Sequence, residues 1–143
     1  MRCALESLPP YNNLRHGPRY KDGMRISPTM NQEGLHVLVH GYTVPRECMI
    51  QITDINHGRP VWDRIIYHLQ CSIVAQTGHT FSHGRGYCYT YLLEEGHMTV
   101  HTYPERRAFF VDLFYEQGDH SEAIEVIHSA FDGARFSYQI IQH

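Results

Sequence analysis

The chain of 143 residues is 42% hydrophobic, enough for one core and short for two, so a single domain is expected. Its formal charge of −3, from 12 Lys and Arg against 15 Asp and Glu, gives no basic surplus for a phosphate backbone and argues against nucleic acid as a partner. No apolar run approaches the roughly 18 residues needed for a membrane span, and an early charge and two prolines stand where a secretory apolar segment would lie. A soluble, intracellular, cytoplasmic protein is therefore expected.

Residues 1–34 contain Pro9, Pro10, Pro18 and Pro28 with several Asn and Gly and no sustained period, and read as an extended arm able to wrap a neighbouring subunit. At Leu35 the character changes: Leu35, Val37 and Val39 alternate with His36, Leu38 and His40, predicting a first strand buried on at least one face. Residues 45–58 give few signals. Pro60, at a first-turn position, then precedes Val61, Ile65, Ile66 and Leu69 at helical spacing, which predicts a helix over about 60–70.

Residues 72–81 are rich in β-branched and aromatic types, Gly84 and Gly86 interrupt, and Tyr87, Tyr89 and Tyr91 alternate with Cys88, Thr90 and Leu92, as in a hairpin. After Glu94-Glu95-Gly96, residues 98–103 and 108–115 form two more candidate strands around Pro104-Glu105-Arg106-Arg107. A last helix is marked by Asp119 as cap, Glu122 three residues later, and Ile124, Ile127 and Phe131 on one face; Gly133 ends it. Residues 136–141 close the chain as a strand. The order strand, helix, four strands, helix, strand implies an α+β fold: a two-layer sandwich over residues 35–143, with a largely antiparallel sheet and two helices on one face.

Cys3, Cys48, Cys71 and Cys88 form no C-x-x-C pair, which points to free thiols rather than a zinc ribbon, a redox motif or a disulfide framework. The spacings His36/His40 and His97/His101 invite a metal hypothesis, but on a strand each pair shares a face about 13 Å apart, too far to hold one ion together. No metal site is expected.

The run Leu93-Glu94-Glu95-Gly96-His97-Met98-Thr99-Val100-His101-Thr102-Tyr103-Pro104-Glu105 resembles the signature E-S-H-x-x-x-H-T-W-P-E of the bacterial and archaeal S-adenosylmethionine decarboxylases, a family of polyamine (spermidine) biosynthesis. The spacing matches without a gap, and the likeness continues through residues 108–114, the last helix and the last strand, covering residues 35–143. In that family the chain cuts itself between Glu and Ser, and the serine becomes a pyruvoyl group whose ketone takes up electrons on decarboxylation. Gly96 stands at the serine position. With no side-chain oxygen there, the acyl shift that precedes cleavage has no nucleophile, so no pyruvoyl cofactor is expected.

By the same resemblance, Glu116 falls at the position of the family's proton-donating cysteine, with Gln117 as an insertion beside it, and Cys88 at that of a processing hydroxyl. His101 matches the processing histidine, although a strand histidine is ordinarily structural. Tyr103 takes the place of the adenine-stacking tryptophan, Glu105 that of the carboxylate on the ribose hydroxyls, and Glu95 completes the candidate ligand set. A tyrosine ring offers a π face to a purine or a sulfonium. The alternative is structural: Tyr103-Pro104 ends a strand, and Glu105, Arg106 and Arg107 form a solvated charge cluster. The family's second aromatic is not evident, Ser82 and His83 lying near that point.

The resemblance implies a pseudoenzyme that keeps the fold and an S-adenosylmethionine or related nucleoside site. It would serve as a regulatory or structural subunit in a homo-oligomer, or with an active paralogue or larger assembly. A competing expectation is a pyruvoyl-independent lyase, in which the substrate's own carboxylate attacks the carbon beside sulfur while Tyr103, Glu105 or Glu116 lends electrostatic support. A third, decarboxylation through an external carbonyl cofactor, would need a buried activated lysine, whereas the one lysine, Lys21, lies in the arm.

Overall fold

Period-two alternation decides which side of each strand is covered. The strand β1 (Leu35–Tyr42) buries every second residue from Leu35 and turns His36, Leu38 and His40 the other way. The computed structural model describes residues 34–116 and 119–142; the arm and Gln117 expected from the sequence lie outside them. The remaining strands are β2 (Ile73–Thr80), β3 (Tyr87–Leu93), β4 (Gly96–Tyr103), β5 (Ala108–Tyr115) and β6 (Arg135–Gln142), in the spatial order β2-β3-β4-β5-β1-β6. Every neighbouring pair is antiparallel.

The helices α1 (Met49–Thr53), α2 (Ile55–His68) and α3 (His120–Ala130) join the inward rows of β1, β3, β4 and β5 in one core. The two-layer α+β sandwich is as expected, but there are three helices rather than two. The segment before Pro60 is helical because Asp54 caps α2, its carboxylate accepting from Asn56 N at 3.1 Å. Pro60 thus sits inside α2, where it removes one backbone hydrogen bond on the exposed side. A 3-10 turn (Arg46–Cys48) leads into α1. At the other end, Asp119 caps α3 as read from the sequence, accepting from Ser121 N at 3.0 Å. Among the described residues no helix is long and apolar enough to cross a membrane.

Aromatic side chains carry much of the core. Trp62, Phe109 and Phe131 are fully buried, with ring centroids 5.5, 5.2 and 4.6 Å apart in the three pairings. Burying each such ring contributes about 1.5–3 kcal/mol. The inward tyrosines of β3 bring hydroxyls into this layer, and each finds a partner: Tyr87 donates to Gln51 O and accepts from Trp62 Nε1 at 2.8 Å, Tyr89 donates to Gln76 Oε1 at 2.9 Å, and Tyr91 donates to Asp63 Oδ1 at 2.6 Å. Burial raises the Tyr91 pKa, and the Asp63 carboxylate raises it further, so Tyr91 remains the donor. Cys71 and Cys88 are free thiols, whereas the fully buried Cys48 is disulfide-bonded. This corrects the expectation of free thiols throughout: C-x-x-C spacing is silent about pairs distant in sequence.

Tyr87→Phe leaves the buried Trp62 Nε1–H and the Gln51 carbonyl without their shared partner. The expected outcome is a loss of about 1–3 kcal/mol, measured as a lower urea midpoint at unchanged m-value.

Candidate functional site

The motif residues divide by the alternation of β4. Met98, Val100 and Thr102 point into the core, while His97, Thr99, His101 and Tyr103 point to the uncovered face. Gly96, at the start of β4, pairs with Tyr115. Beside it, Glu95 uses its carboxylate to accept from Ser72 N at 2.9 Å, fixing the entry to β2, and its carbonyl accepts from Glu116 N at 3.0 Å. Glu95, Gly96 and Glu116 therefore share one corner of the sheet. A Cβ on Gly96 would overlap the Phe114 carbonyl oxygen and stand 2.8 Å from the Phe114 carbonyl carbon and 3.0 Å from Tyr115 Cα. All three obstacles are backbone of β5, which no rotamer change can clear.

At the other end of β4, Thr102 Oγ1 accepts from Tyr87 N at 2.9 Å and completes the β3–β4 pairing, so Tyr103 leaves the sheet in a fixed direction. Pro104 is buried and opens a 3-10 turn (Pro104–Arg106), and Arg107 closes it in the left-handed region at φ 51°. Arg107 is structural: its carbonyl accepts from Val44 N at 3.1 Å while its Nε donates to Val44 O at 2.9 Å.

Against this turn rests the β2–β3 loop, closed by Gly84 N to Phe81 O at 2.8 Å and Phe81 N to Gly86 O at 3.0 Å, and tied to α1 by Gly86 N to Thr53 O at 2.9 Å. Gly86 has φ +88°, and a Cβ there would come within 2.7 Å of Pro104 Cδ, so glycine allows the close approach. The loop brings Phe81 alongside Tyr103, with ring centroids 6.4 Å apart and planes at 28°, and Phe110 meets Tyr103 edge-on at 5.8 Å. A cavity of about 350 Å³ lined by His83, Arg85 and Glu105 lies at this turn. Phe81 thus stands beside Tyr103, whereas the sequence points to Ser82 and His83 near that point.

Cys88 and His101 face each other across β3 and β4, both half-buried. His101 also lines a shallow hollow of about 460 Å³ on the uncovered face, with Leu38, His40, Thr99, Phe110 and Asp112 among its other walls. Strand rise puts His101 about 17 Å and Tyr103 about 24 Å along β4 from Gly96. One chain thus holds Gly96, Glu95 and Glu116 at one end, and Cys88, His101, Tyr103 and Glu105 at the other.

The histidine spacings resolve differently from the sequence pattern. His36 meets not His40 but His97, with rings 6.4 Å apart, and both Nε2 atoms approach Asp112 Oδ1, at 2.7 and 3.8 Å. His40 instead stacks on Phe110 at 4.3 Å. Among the described residues no group of three or more His, Cys, Asp or Glu could hold a metal ion.

A model of the S-adenosylmethionine decarboxylase family matches residues 35–143. Among solved structures, the adenosylmethionine decarboxylase from Aquifex aeolicus VF5 is similar to this chain, with a TM-score of 0.66 at 22% identity, covering 78% of this chain and 90% of that one. At that identity the likeness is one of fold. No curated protein matches the chain.

In the uncut chain, residue 96 supplies neither a hydroxyl nor the room for a side chain. Gly96→Ser is accordingly expected to leave the intact mass at that of the uncut polypeptide. It should also destabilise the fold by about 1–3 kcal/mol through overpacking against β5. Mass spectrometry and thermal unfolding check both parts, and the appearance of two fragments would contradict the steric argument.

Proposed function

Because the chain belongs to the S-adenosylmethionine decarboxylase family, we propose that it is a member without pyruvoyl chemistry, a non-catalytic regulatory or structural subunit that retains an adenosyl-binding pocket at Phe81, Tyr103 and Glu105. The observation that carries this is Gly96, which lacks the hydroxyl of the serine position and has β5 backbone where a side chain would go. The binding half of the motif is better kept by contrast, with Tyr103 in place of the tryptophan and Glu105 retained. Phe81 and Tyr103 lie nearly parallel, the half-buried Tyr103 is fixed by Thr102 and Pro104, and Glu105 borders the adjoining cavity.

The distance along β4 supports a subunit role. A single ligand cannot reach both ends of a strand spanning about 24 Å, so a complete site needs a second chain. That chain is another copy of this one or an active paralogue. The uncovered sheet face, with Phe110 43% and Leu92 53% exposed, is the surface on which such a partner would lie.

Tyr103→Ala is expected to weaken adenosine binding about 5- to 150-fold, the loss of one base-stacking surface, read by calorimetry. Function itself is tested by incubating the pure protein with S-adenosylmethionine and analysing the small molecules and the intact chain by mass spectrometry. Unchanged nucleoside and an uncut chain are the expected outcome. Methylthioadenosine with homoserine lactone would establish the lyase instead, and decarboxylated product would overturn the role given to Gly96.

A further inference from the structure

The charges around the Phe81–Tyr103 pair are mostly positive. His83 and Arg85 line the cavity with Glu105, and the Arg106 guanidinium carbon lies over the Tyr103 ring, 5.3 Å from its centroid. Arg107 is not part of this set, because its Nε is spent on Val44 O. Two guanidinium groups and an imidazole thus stand against one carboxylate, in a chain whose formal charge is −3. The positive excess is local to the β2–β3 loop and the β4–β5 turn.

The Arg106 guanidinium makes a cation–π contact with Tyr103. A nucleoside whose base lay on that ring would carry a 5′ sulfonium toward this guanidinium, with like-charge repulsion. A phosphate meets the opposite situation, because guanidinium groups present paired N–H donors that match its oxygens, and the charges attract. The cavity, about 350 Å³, is within the range of small-ligand clefts.

We propose that this pocket selects a purine nucleoside carrying a 5′-phosphate over one carrying a cationic sulfonium. The base lies on Phe81 and Tyr103, and the phosphate is held by Arg85 and Arg106 with His83 beside them. The proposal rests on the reading of the aromatic pair as a purine site and names the class of ligand that the site takes.

The test is calorimetric titration of the full chain with adenosine 5′-monophosphate, adenosine, S-adenosylmethionine and inorganic phosphate, at one fixed low salt concentration. The monophosphate is expected to bind about 10-fold tighter than adenosine, and S-adenosylmethionine more weakly than adenosine. Arg85→Ala, at an exposed loop position, is expected to bring the ratio of the adenosine and monophosphate Kd values toward one.

If S-adenosylmethionine binds tighter than the monophosphate, the proposal fails while the purine site stands. If no purine compound binds, the site itself is lost and the proposal with it. Inorganic phosphate binding as tightly as the monophosphate, and surviving Phe81→Ala, would show an anion site with no part for the base and would likewise overturn the proposal.

Discussion

The antiparallel pairing of β4 with β5 is the constraint on which the site depends. The register runs unbroken from Gly96 opposite Tyr115 to Tyr103 opposite Ala108, which fixes both ends of the motif at once. At one end it presses the β5 backbone against Gly96. At the other it feeds directly into the turn that carries Tyr103, Pro104 and Glu105. A slip of one residue would send His101 and Tyr103 into the core and bring Val100 and Thr102 to the uncovered face, so the hydrophobic pattern of β4 protects the register.

The same alternation separates structural from chemical work across the sheet. The inward face is filled by aliphatic and aromatic side chains, and its tyrosine hydroxyls are paired with Gln51, Trp62, Gln76 and Asp63. The polar and titratable side chains His36, His97, His101, Tyr103 and Asp112 all stand on the other face. The loops serve that face too: glycine at 86 lets the β2–β3 loop lie on Pro104, and Arg107 holds the β4–β5 turn to the segment after β1. Phe81 and Tyr103 are thereby supported by backbone contacts from two sides.

How much of this was legible depended on whether the cause was local. The period of two in β5 gave its bounds to the residue, and Asp119 marked the start of α3, because alternation and capping are written within a few consecutive positions. The helical segment before Pro60 was missed, since proline at a presumed first turn outweighed Asp54, the actual cap. The motif around Gly96 pointed to the right strand, yet its spacing did not convey that its residues occupy opposite ends of one chain. Phe81 needed the fold of a glycine-bearing loop to be recognised. The approach of His36 and His97 to Asp112 joins three strands and residues up to 76 positions apart, so no local pattern could signal it.

Gly96 also bears on how such a chain could change over generations. Two of the four glycine codons are a single base away from serine, so the missing hydroxyl is within easy mutational reach. The backbone of β5 makes that step unfavourable: a serine would arrive in a space already taken by Phe114 and Tyr115. Accommodating that serine would first require β5 to withdraw, a change with no benefit until the serine is present. The glycine therefore acts as a ratchet: change at residue 96 is held back by the backbone of a neighbouring strand, whereas the exposed positions of the β2–β3 loop are free to vary.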